Sequence, residues 1–177
     1  LAFLAPLTEG GDFRDSGIKG ITRFLERVWR FAGGLQFEKM RNSIKTDPVV
    51  ERALNEAIKK ITRDTENLQY NTSISALMVL INIFEEKKEC VTLRQFETFL
   101  KLMAPFAPSM SEALWSRFFA GKKSRISRQR RGSATKSGRD SRSESGQKKF
   151  KSIHHEPWPT YDASLLKESS FDLIIQV

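Results

Sequence analysis

The chain has 177 residues, 39% of them hydrophobic, which is enough for one domain with a real core. Its formal charge of +9 resides almost wholly in one stretch: residues 121–152 hold twelve Lys/Arg and two acids, net +10, and the remainder sums to −1. The single cysteine, Cys90, excludes an internal disulfide and a cysteine-rich metal site and fits a reducing compartment, and no apolar run reaches the ~20 residues that span a bilayer.

In chain order, Leu1–Pro6 is apolar but too short for a signal peptide, and it reads as an end cut from a longer protein. Asp15-Ser16-Gly17 opens a helical pattern running to about Ala32, with Ile21, Leu25, Val28 and Ala32 as its apolar stripe. Gly33-Gly34 stops it. Residues 35–46 read as loop. Asp47-Pro48 starts a second helix, cap then proline, whose stripe is Val50, Leu54, Ala57, Ile58 and Ile61, to about Asn67. Asn71-Thr72 begins a third through Ile74, Leu77, Met78 and Ile81. Thr92 caps a fourth with Phe96, Phe99, Leu100 and Met103 inward.

Pro105 and Pro108 then force a bend, because the residue before a proline is pushed out of helical geometry. A fifth helix starts near Pro108, which a first turn tolerates, and runs through Phe119, with Met110, Leu114 and Phe118 at helical spacing, Trp115 beside them, and Ser109 or Ser111 as its cap. Five amphipathic helices with mostly short links predict an all-α fold, a helical bundle of about five helices.

Residues 121–151 are rich in Ser, Arg, Lys and Gly, with Ile126 and Phe150 as the only large apolar side chains. Such a segment cannot bury enough apolar area to offset an ordering entropy of roughly 1–2 kcal/mol per residue, so it reads as a disordered insertion. Pro157-Trp158-Pro159 is a rigid turn, Asp162 caps a short helix through Leu166, and 171–177 read as a short terminal strand that stops mid-pattern. The organisation is therefore a helical bundle over 1–120, the insertion over 121–151, and a return segment over 152–177.

No catalytic constellation is present. Adjacent His154 and His155 diverge on any regular element and have no companion ligands, so no metal site is expected. Gly10-Gly11 and Gly33-Gly34 lack the spacing of a phosphate loop. The strongest binding signal is the first helix, where Lys19, Arg23, Arg27 and Arg30 cluster opposite the apolar stripe. This is either a solvated polar face or a ridge that contacts phosphates, for which the arginine fork is well shaped. Trp29 beside it reads as core, with a stacking surface as the alternative. In the insertion, Arg125, Arg128, Arg130, Arg131, Arg139 and Arg142 interleave with Ser, which is either a polycation suited to RNA contact without sequence preference or a loop expansion with no binding role.

Several segments resemble, in order, landmarks of the leucyl-tRNA synthetase family. Arg23-Phe24-Leu25-Glu26-Arg27-Val28-Trp29-Arg30 is similar to the RFLxRVWR helix after that family's catalytic core. Asn71-Thr72-Ser73-Ile74-Ser75-Ala76-Leu77-Met78 is similar to FNTAISALM. Pro105-Phe106-Ala107-Pro108-Ser109-Met110-Ser111-Glu112-Ala113-Leu114-Trp115 is similar to PFAPH-x-x-EELW. Pro157–Asp162 and Ile174-Ile175-Gln176-Val177 match later landmarks. Ser109 stands where the family usually has His, Tyr70 where it has Phe, and Ala113 where it often has Glu.

The resemblance implies an anticodon-binding helical bundle and a parent enzyme that joins leucine to tRNA(Leu) using ATP and Mg. The HIGH and KMSKS signatures of that chemistry do not occur in these residues, so this chain is expected to hold no cofactor and to be non-catalytic by itself. Its expected partners are tRNA(Leu) and the catalytic domain of the same polypeptide, in a cytoplasmic monomer without membrane contact. Lys19, Arg23, Arg27, Arg30 and Asn71 are the expected tRNA contacts. The alternative is a non-catalytic interaction module whose basic segment binds RNA or an acidic partner.

Overall fold

Asp47 shows how local chemistry sets the element boundaries. Its side chain accepts the Val49 N–H at 2.8 Å, and Pro48, which has no N–H to satisfy, takes the first helical position. In the computed structural model, which describes residues 15–35, 40, 47–119 and 151–166, five α-helices follow one another. They are α1 (Asp15–Gly33), α2 (Pro48–Glu66), α3 (Tyr70–Glu86), α4 (Leu93–Met103) and α5 (Pro108–Phe119). Short 3-10 turns lie at Lys88–Cys90, Ile153–His155 and Ala163–Leu166, and no strand occurs among the described residues. The expected terminal strand and the insertion lie outside the described residues.

The α4 start is a reciprocal cap. Thr92 Oγ1 accepts the Gln95 N–H at 3.3 Å, and Gln95 Oε1 accepts the Thr92 N–H at 2.8 Å. Gln95 Nε2 then donates to Glu51 Oε2 at 2.7 Å, so the same residue ties α4 to α2. The expected caps at Ser109 or Ser111 do not form. Pro108 is itself the first residue of α5, which places both serines inside the helix, and the Ser111 hydroxyl is fully buried without a partner. The third helix starts one residue early, at Tyr70, whose ring meets Phe106 edge-on at 6.0 Å. Within 35–46, expected as loop, Met40 is helical and buried.

The helices close on a cluster of rings. Phe96 of α4 lies 6.0 Å from Phe31 of α1, 5.3 Å from Phe118 of α5 and 6.3 Å from Phe99, which in turn lies 5.7 Å from Phe84 of α3. Val50, Leu54, Ala57, Ile58 and Ile61 of α2 are buried as their spacing predicts. The α1 stripe is rotated from expectation. Phe24, Val28, Phe31 and Ala32 are buried, and Ile21 and Leu25 only half so, because the two rings carry the most area to hide.

Residues 151–166 strap the bundle. Trp115 Nε1 of α5 donates to the Lys151 carbonyl at 3.0 Å, and Glu112 accepts from Ser152 Oγ at 2.8 Å and from the Ile153 N–H at 3.2 Å. Farther along, Trp158 Nε1 donates to Thr62 Oγ1 of α2 at 2.8 Å, and the Asp162 N–H to Asn55 Oδ1 at 2.7 Å. Asp162 caps the last 3-10 turn through Ser164, as expected.

The α2–α3 corner is a Schellman closure. The Gln69 N–H bonds the Asp64 carbonyl at 2.7 Å, the Leu68 N–H bonds the Thr65 carbonyl at 3.2 Å, and Leu68 between them has φ 59°. A leucine held in that left-handed geometry, half exposed, costs about 1–2 kcal/mol relative to right-handed backbone. L68G should therefore raise stability by about 0.5–1 kcal/mol, net of glycine's larger unfolded-state entropy. A higher urea midpoint at unchanged slope is the expected result.

Asp64 also fastens this corner through its buried carboxylate, which accepts from Lys60 at 2.8 Å and from Thr72 at 2.6 Å. Burial pushes its carboxyl up, but the Lys60 and Thr72 hydrogen bonds and the Lys60 and Arg63 charges outweigh this and hold it below its ordinary value. Glu156 is likewise held down, chiefly by the Lys151 hydrogen bond against opposing burial. Depressed carboxyls stabilise the fold above their unfolded pKa, and that stability is lost as pH falls through the folded pKa. The parent's urea midpoint should drop on acidification from about pH 6 to about pH 3. D64N should be less stable at neutral pH and drop less steeply.

Candidate nucleic-acid interface

The cationic face of α1 follows from helical geometry. At 100° per residue, Lys19, Arg23 and Arg30 fall within about 40° of one another, on the side away from Phe24, Val28 and Phe31. All three are exposed, and none has an ion-pair partner among the described residues. They form an open row along one side of the bundle.

Arg27 is set apart. It sits at the edge of the buried face, and its Nη2 donates to Asn82 Oδ1 at 2.6 Å and to the Glu85 carboxylate, both on α3. Its side chain is about one-third exposed (35%), and Nη2 makes both of the bonds that tie α1 to α3. The sequence placed Arg27 in the cationic cluster because the apolar stripe was centred on Leu25. Centring it on Phe24, Val28 and Phe31 moves Arg27 to the flank.

Asn71 occupies the first turn of α3 and is partly buried. Its Oδ1 is enclosed without a partner, and its carbonyl accepts from Ser75 Oγ at 2.9 Å. It does not join the α1 row. Arg128, Arg130 and Arg131 lie outside the described residues.

Trp29, expected in the core, is instead 50% exposed, turned toward Met110 of α5, with Leu25, Glu26 and Arg30 around it. At 100° per residue Trp29 lies about 140° from Phe24 and about 160° from Phe31, so the rotation that buries those rings carries it outward. A second set of exposed rings, Trp158 and Tyr161, lies on the strap beside a polar cleft of 470 Å³ with Arg94, Gln95 and Lys101. Position within the strap, which periodicity does not describe, is why sequence reading assigns these two no binding role.

Among the described residues no group of three or more His, Cys, Asp or Glu side chains could hold a metal ion. His154 Nε2 is 3.8 Å from Glu112, and His155 faces solvent. No described helix is long and apolar enough to cross a membrane.

The described residues form an all-α bundle with an open cationic row along α1. The model of the anticodon-binding domain of tRNA ligases matches residues 47–177. The chain belongs to that family. It is similar to the leucine–tRNA ligase of Dehalococcoides mccartyi strain BAV1, 32% identical over 183 aligned positions covering 100% of this chain and 19% of that protein. The leucine–tRNA ligase of Chlorobaculum tepidum is 33% identical over 176, covering 99% and 18%. The chain thus spans about a fifth of the length of the relatives it matches. Among solved structures, it resembles the ternary complex of Agrobacterium radiobacter K84 agnB2 LeuRS with tRNA and LeuAMS. That likeness has a TM-score of 0.61 and 25% identity over 88% of this chain and 18% of that one.

The bridging geometry sets Arg27 apart from its neighbours in a measurable way. R27A should lower stability by up to about 1 kcal/mol, the range for a partly exposed ion pair. R23A and R30A should each leave the unfolding midpoint within about 0.5 kcal/mol of the parent. Urea melts of the three variants make the comparison.

Proposed function

We propose that this chain is the tRNA-docking domain of a leucine–tRNA ligase. It holds tRNA(Leu) while a catalytic domain of the same polypeptide activates leucine and transfers it. ATP and Mg belong to that catalytic domain. The observation that carries the reading is the open row of Lys19, Arg23 and Arg30 on a bundle that aligns end to end with leucine–tRNA ligases. The solved relative being a tRNA complex supports the same partner.

Cations on a rigid helix meet backbone phosphates, which position an RNA without reading its sequence. The basic residues of 121–151, Arg128, Arg130 and Arg131 among them, add attraction that does not depend on sequence. The domain acts as a monomer in the cytoplasm. Asn71, partly buried in the first turn of α3, is a further tRNA contact in this reading.

Each lost phosphate contact should lower the salt dependence of affinity by about 0.7–0.9 units of slope. The test is tRNA(Leu) affinity at several salt concentrations for the parent, a deletion of residues 122–151, and R23A/R30A. The deletion should flatten the salt dependence and keep the helices, at a lower unfolding midpoint because it also removes Lys151, whose carbonyl accepts from Trp115 and whose ammonium pairs with Glu156. The double variant should weaken binding further in the deleted background. Unchanged binding by the double variant there would show the α1 face to be ordinary solvated surface. A parent whose affinity rests wholly on residues 122–151 would favour the interaction-module reading instead.

A further inference from the structure

Trp29 is a large ring left half in water at the middle of a helix, beside a cationic row with no described ion-pair partner. Leu25 and Met110 supply apolar walls next to it, and Arg30 and Glu26 the rim, of an open hollow of 560 Å³. Resting on the tRNA-docking reading, we infer that Trp29 is a stacking platform for one unpaired base of the bound tRNA.

Three observations favour a base over a protein surface. The ring is flanked by Arg30, whose guanidinium reaches a phosphate while the ring takes the base attached to it. Lys19 and Arg23 continue the positive charge along the same helix, so a chain seated at Arg30 has further cations to follow. Glu26, on the rim between Trp29 and Arg30, repels phosphate and orients the backbone toward Arg30, leaving the apolar side of the hollow for the base. A base within a duplex is already stacked on both faces and cannot use the ring, so the occupant is a nucleotide in a loop, a bulge or an end of the tRNA. Stacking is tolerant of base identity because every base presents a π face.

The test uses the 177-residue chain and a tRNA(Leu) transcript at several salt concentrations, with W29A and W29F. Loss of a stacked base should weaken W29A about 5- to 150-fold at an unchanged salt slope, because no counterion-releasing contact is removed. W29F keeps a ring and should recover most of the affinity. The tRNA-dependent quenching of tryptophan fluorescence expected of the parent should be reduced in W29F despite that recovery. Equal unfolding midpoints for all three chains would exclude a change in fold. The inference is overturned if W29A binds as the parent does, as expected of a ring that docks protein. It is also overturned if W29F is as weak as W29A, or if the slope falls with the affinity. Were the parent to bind no tRNA, the docking reading would fail first. Were R23A/R30A alone to weaken binding, only the Trp29 assignment would fail.

Discussion

Phe96 is the ring on which the bundle converges. It is fully buried and touches rings from α1 and α5 and its own helix neighbour Phe99, which carries the contact on to α3. Four helices share this cluster, and removing one such ring from a core costs about 3–5 kcal/mol. The cluster fixes more than stability. Because Phe31 must reach Phe96 and Phe84, α1 has one permitted rotation about its axis. That rotation carries Lys19, Arg23 and Arg30 to solvent, Arg27 to Glu85, and Trp29 to the rim. The binding surface is thus a consequence of where the rings go.

Residues 151–166 show a second dependence. The chain leaves the bundle at Phe119 and is back at Lys151 beside Trp115, where Glu112 receives it with two hydrogen bonds. These hydrogen bonds therefore fix both described points that residues 120–150 join. Glu112 and Trp115 belong to the stretch most similar to the synthetase family. Through their hydrogen bonds that stretch anchors the return of the chain, which is a structural role independent of any contact with RNA.

Several elements are legible in the residues themselves. Asp47-Pro48, Thr92 with Gln95, and Asp162 before Ser164 are local signals, and each closes within three residues of sequence. The α2 stripe is legible because only one set of large apolar positions competes for its buried face. On α1 two stripes compete, one through Ile21 and Leu25 and one through Phe24 and Phe31, and periodicity cannot weigh them. The misplacement of Trp29 and of Arg27 both descend from that one choice. Ser109 and Ser111 have the residue type of a cap. Proline's tolerance for the first helical position decides otherwise.

What the sequence by itself determined was the helical class, the five described helices with most of their boundaries, and the ordered landmarks that point to leucine–tRNA ligases. These depend on short-range chemistry and on the order of residues, both written in the chain. What only the tertiary structure decided was which charges are free. Whether an arginine is a bridge or an open contact depends on what another helix places opposite it. Arg27 meets Glu85, 58 residues away, while Arg23 and Arg30 meet no ion-pair partner among the described residues. Such pairings are set by packing across the core, at sequence separations over which no local pattern carries information.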